Sequence, residues 1–98
     1  MSSAAPRSAP ARELLLANHQ FPGEYIVKAF GPHEERFRTE IRACATDVVG
    51  DARAAVHERL SRRGSRMCIT VTLQAETVDD VISVYERMHQ VEGLMLIL

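Results

Sequence analysis

Cysteine is scarce in this chain. Cys44 and Cys68 are its only two, too few and too far apart for a disulfide framework, and no CxxC metal or redox motif is present, so a reduced compartment is expected. Long apolar runs are lacking as well. Leu14-Leu-Leu-Ala17 is too short for the hydrophobic segment of a signal peptide, no later stretch approaches the length of a membrane span, and the cytoplasm is the expected location. A formal net charge of −1 provides no general attraction to nucleic acid or to an anionic membrane, so any such preference needs a local patch. Nor is there a Ser-His-Asp set, a Walker loop or a paired-glycine dinucleotide motif, and catalysis is not expected. His19, His33, His57 and His89 are scattered singly, without the spacing or cysteine company of a metal site, so neither metal nor cofactor is expected.

What is present describes one soluble domain: 98 residues, 46% hydrophobic and 26% charged. Residues 1–20 read as a disordered or partly helical tail and residues 21–98 as a single domain. Ser, Ala, Pro and Arg dominate the first twelve positions, a composition that cannot offset the entropy of ordering. A brief helical turn over 13–18 would let its leucines cover an edge of the domain. The first strand is expected at Glu24-Tyr-Ile-Val-Lys-Ala-Phe30, rich in β-branched and aromatic residues and closed by Gly31-Pro32. A helix follows over about 32–46, with Phe37, Ile41, Cys44 and Val48 spaced for one buried face, and Gly50-Asp51 breaks it. Residues 53–61 alternate as an edge strand, Arg62-Arg-Gly-Ser65 makes a hairpin turn with Gly64 supplying the permissive backbone, and Met67 to Leu73 alternates as a strand with one face buried. Thr77 with Asp80 forms a variant capping box ahead of a helix carrying Val78, Val81, Ile82, Tyr85 and Met88. Leu94-Met-Leu-Ile-Leu98 is the last strand. The order βαββαβ with right-handed crossovers makes an α+β, ferredoxin-like sandwich, a four-stranded antiparallel sheet of order 4-1-3-2 with two helices on one face.

Three blocks then acquire a common meaning: Phe21-Pro22 leading through Tyr25, Lys28 and Gly31; the turn Ser61-Arg-Arg-Gly64 entering Cys68-Ile-Thr-Val-Thr72; and the Tyr85-Glu86 helix running into Leu94 to Leu98. Together, over about residues 21–98, they resemble the YbeD-like family of bacterial proteins, also named for a proposed link to lipoate regulation. The resemblance implies an ACT-like regulatory fold with no established enzymatic activity and no known ligand. The chain departs from the family at the hairpin, where Ser-Lys-Gly followed by an aromatic and a serine is usual and Arg63, Arg66 and Cys68 stand here.

Three places are candidates for contacts. Arg53, Arg59, Arg62, Arg63 and Arg66 lie within fourteen positions, opposed only by Glu58; arginine forks suit carboxylates and phosphates, while the plainer reading is a solvated edge that resists unwanted pairing. Lys28, mid-strand, should emerge on the open sheet face near Cys68, Thr70 and Thr72, to meet a ligand or simply water. Cys68 could be a reactive thiol or a small strand residue, whereas Cys44 belongs to the core. Base stacking is not expected, since the third strand has no aromatic and the first offers only Phe30, and the acidic Gly31-Pro-His-Glu-Glu35 is no acylphosphatase-like anion loop. Leu94, Met95, Leu96, Ile97 and Leu98 form an apolar edge, which either the segment around residues 14–21 or a second copy of the chain should cover. The expected function is therefore a small regulatory or adaptor module, a homodimer binding a metabolite or partner protein through the open sheet face or dimer interface. The alternative is an anion- or nucleic-acid-binding protein using the hairpin 53–66.

Overall fold

A computed structural model describes residues 9–98. Residues 1–8 of the expected tail 1–20 lie outside the described residues. The elements are α1 (Arg12–Asn18), β1 (Gly23–Pro32), α2 (Glu35–Val49), a 3-10 turn at Asp51–Arg53, β2 (Ala54–Leu60), β3 (Arg66–Ala75), α3 (Val78–Met88) and β4 (Leu96–Ile97). All strand pairs are antiparallel, in the order β2-β3-β1-β4, which is the expected 4-1-3-2 read from the other edge. The architecture is thus α+β and compatible with the ferredoxin-like sandwich.

The centre of the sheet is the pairing of β1 with β3, in register from Gly23 opposite Ala75 to Pro32 opposite Arg66. Successive side chains alternate between faces, so Tyr25, Val27 and Ala29 meet Met67, Ile69, Val71, Leu73 and Ala75 on one buried side. Two helices cover that side. From α2 come Phe37, Ile41, Cys44 and Ala45, and from α3 come Val78, Val81, Val84, Tyr85 and Met88, all buried. Helix and sheet approach closely at Gly31: a Cβ there would lie 2.2 Å from Cζ of Phe37, so the bare backbone is what admits the ring. Thr77 and Asp80 make the reciprocal capping box at the start of α3.

Several expectations need correction. The first long helix begins at Glu35, three residues later than expected, because β1 runs on through Pro32, which pairs opposite Arg66 at the strand end where its missing N–H is tolerated. It also continues past Thr46 to Val49, until Gly50 at φ 89° ends it. In α3, Val84 takes the core position and Ile82 is only partly buried. The final strand is shorter than residues 94–98, Leu96–Ile97 opposite Phe30 and Ala29, although flanking backbone bonds carry the ladder on: Met95 N–H donates to Phe30 O at 2.8 Å, and Leu98 and Lys28 exchange bonds of 2.8 and 3.0 Å. The turn expected over 13–18 is the helix α1. It lies on α3, where Leu15 is buried and Arg12 pairs with Asp79, and it leaves Met95, Leu96 and Leu98 at 54%, 51% and 61% exposure.

Candidate functional site: the open face of the sheet

The register decides which side chains share the face that α2 and α3 leave bare. Crossing from β2 to β4, one row reads Arg59, Cys68, Phe30, Leu96, and the next reads His57, Thr70, Lys28, Leu98. A third, Ala55, Thr72, Ile26, ends on β1. Lys28 therefore does stand directly opposite Thr70, and Cys68 opposite Phe30, as the strand alternation requires. The rows are graded: cationic or polar on β2, apolar on β4. Phe30, Arg59, Arg66, Cys68, Met95 and Leu96 line a groove of about 370 Å³ at the hairpin end of this face. The structure thus brings together parts of two separately expected sites, the arginine hairpin and the apolar last strand.

The hairpin is held in shape by its backbone. Gly64 adopts φ 77°, its N–H donates to Ser61 O at 2.9 Å, and Ser61 N–H donates to Arg66 O at 2.9 Å. His33, just after β1, clamps the turn from the side: its N–H donates to Ser65 O at 3.2 Å and its Nδ1 lies 2.8 Å from Gly64 O. Arg62 and Arg63 project from the exposed tip.

Two members of the expected arginine cluster behave differently from the rest. Arg53 lies in the 3-10 turn before β2 and bridges to Glu76 at 2.9 Å, so it does not belong to the hairpin group. Glu58 does not offset that group. Alternation along β2 turns it to the helix side, where Arg38 of α2 grips both carboxylate oxygens at 2.5 and 2.9 Å. That hydrogen-bonded contact holds the Glu58 carboxyl below the usual carboxylate range, against a smaller opposing effect of desolvation. Lys28, Arg59, Arg62, Arg63 and Arg66 make no ion pair among the described residues, and on the helix side Arg42 makes none either, while Arg12, Arg36, Arg38, Arg53 and Arg87 all do.

The acids are distributed the opposite way. Of the chain's 13 acidic residues, Glu24 alone is on the open face. The others lie on the helices and their connections, or, for Glu58, on the helix-facing side of β2. A net charge near zero thus conceals a basic sheet face and an acidic helix layer. His57 and Phe30, which belong to neither expected contact site, join the face: the alternation of β2 and β1, a signal present in the sequence, places both beside Arg59 and Lys28.

Elsewhere the titratable groups are structural. Burial pushes the Cys44 thiol up to about 11, which keeps it protonated and unreactive. The Tyr85 phenol is also pushed up, first by burial and then by its hydrogen bond with Tyr25, oxygen to oxygen 3.0 Å. No group of His, Cys, Asp or Glu among the described residues is arranged to hold a metal ion. No helix among them is long and apolar enough to cross a membrane.

Comparison with curated proteins and with solved structures finds no match. A family model described as "Protein of unknown function (DUF493)" matches residues 17–98, from the end of α1 through β4. The chain therefore belongs to that family, the YbeD-like family that its three sequence blocks resemble.

Proposed function

We propose that this protein is a small non-enzymatic adaptor or regulatory module, acting in the cytoplasm, whose open sheet face holds an anionic, partly apolar ligand. One observation carries the reading: Arg59 and Arg66, which have no carboxylate partner among the described residues, line a groove floored by Phe30 and Leu96, with the equally unpaired Lys28 in the next cross-strand row and Arg62 and Arg63 on the same hairpin. Unpaired guanidinium forks are strong recognition elements for carboxylates and phosphates, and an apolar strip beside them adds area that a bare ion cannot use. Regulation, and the lipoate link in the family's naming, is the setting in which such a module would act. Nucleic acid fits less well, because Phe30 is the one Phe, Tyr or Trp ring in the three cross-strand rows, with only the His57 imidazole beside it, and base-stacking platforms are built on several such rings.

A thermal-shift panel of anionic metabolites, run beside a pulldown from native lysate, tests the proposal. A ligand that binds only the folded state raises the apparent melting temperature by mass action, and the shift should fade as ionic strength rises. Replacing Arg59, Arg62, Arg63 and Arg66 together by Ser should abolish every such interaction. If all of them survive that replacement, the cationic face is not the site.

The exposure of Met95, Leu96 and Leu98 favours a second reading, a homodimer joined along β4. Light scattering at tens of micromolar, about the range in which weak protein contacts still associate, would show a dimer, and a monomer would end that reading.

A further inference from the structure

We propose that the open face takes an amphipathic helix of a partner protein, with an acidic flank over β2 and the hairpin and an apolar flank over β4. The inference rests on the anionic-ligand reading and specifies the ligand's class. Three features lead to it.

The first is the layer count. The molecule measures 39 × 38 × 21 Å, and its short dimension holds one sheet and one layer of helices, so among the described residues the far side of the sheet has no covering layer. The second is what such a face can accept. It offers side chains, while its backbone donors and acceptors are directed in the plane of the sheet. An extended peptide laid across it would leave its own N–H and C=O groups without protein partners, whereas a helix satisfies them internally. The third is the cross-strand gradient. Strands about 4.8 Å apart put the β2 side chains roughly 14 Å from those of β4, and a helix with its side chains is about 10–12 Å across. One helix therefore reaches both Arg59 and Arg66 on one flank and Phe30, Leu96 and Leu98 on the other. A compact inorganic anion spans only the cationic end.

A second copy of the chain fits this face less well. Facing sheets related by a two-fold axis would set Lys28, Arg59 and Arg66 against their own equivalents. The apolar stripes of α2 and α3 are spent on the core, and α1, although it exposes Leu14 and Leu16, carries Glu13 as its sole acid beside Arg12.

The probe is a fluorescein-labelled synthetic helix of about five turns with a leucine stripe and a glutamate flank, titrated with the intact protein by fluorescence anisotropy. Controls are the same peptide with Lys for Glu, the same peptide with Ser for Leu, polyglutamate of equal charge, and a single-stranded oligonucleotide. The acidic amphipathic peptide should bind best. Arg59→Ser with Arg66→Ser, and separately Leu96→Ser, should each weaken it about tenfold, a change of roughly 1.4 kcal/mol. All three positions are exposed, so circular dichroism should confirm that each variant is folded. Amide NMR shifts should fall on all four strands and spare α2. Binding of polyglutamate or the oligonucleotide equal to that of the amphipathic peptide would overturn the helix inference while leaving the anionic site standing. Binding that ignores the two arginines, or absence of binding by every anionic probe, would overturn both.

Discussion

Gly31 and Phe37 show how a single residue sets the distance between the layers. Any side chain at position 31 enters the ring's space, and overpacking of this kind costs about 1–3 kcal/mol. Gly31→Ala should accordingly lower the urea midpoint by that equivalent, with the slope of the transition unchanged; an unaltered midpoint would mean that the ring is free to move aside. The Tyr25 and Tyr85 hydroxyls are each other's partners in a buried place. Removing one oxygen strands the other, a cost of about 1–3 kcal/mol. Tyr25→Phe and Tyr85→Phe should each destabilise the protein, and the double variant should cost clearly less than the two singles added together, a coupling that a double-mutant cycle reads directly. Strict additivity would show that the two oxygens act independently.

Individual elements were legible in sequence to different degrees, for physical reasons. The strand β3 and the capped helix α3 announced themselves, since period-two alternation and the Thr77–Asp80 box are local signals. The start of α2 misled, because a proline after glycine reads as a first helical turn, whereas tertiary pairing with Arg66 keeps Pro32 in β1. The convergence of Arg59, Phe30 and Leu96 could not be read from spacing alone; it depends on a register among three strands far apart in sequence. Glu58, by contrast, was misjudged despite being readable: its parity along β2 already set it opposite to Arg59. Its ion pair with Arg38 ties β2 to α2, and the carboxyl is depressed in the folded state. A depressed carboxyl contributes stability above its unfolded pKa and loses it as pH falls through the lowered folded value. Wild type should therefore melt slightly above Glu58→Gln at pH 7, and the gap should close in acid. A gap that persists at every pH would assign the contact to packing rather than charge.

Charge is sorted between the two layers of the whole molecule, and that sorting has a kinetic consequence. With net positive charge on the sheet face and hairpin and net negative charge on the helix layer, a chain of net charge −1 carries an electric dipole. An approaching acidic surface feels a torque before it feels a contact, and the molecule turns its sheet toward that surface during diffusion. Stopped-flow mixing with an acidic peptide should show an association rate that falls steeply from low to physiological salt while dissociation changes little. Arg62→Glu with Arg63→Glu, at the exposed tip, should slow association more than it speeds dissociation. If dissociation alone responds, the tip arginines act only after contact is made. The hairpin would then govern how quickly, and in what orientation, a partner is met, leaving Phe30 and Leu96 to govern how long it stays.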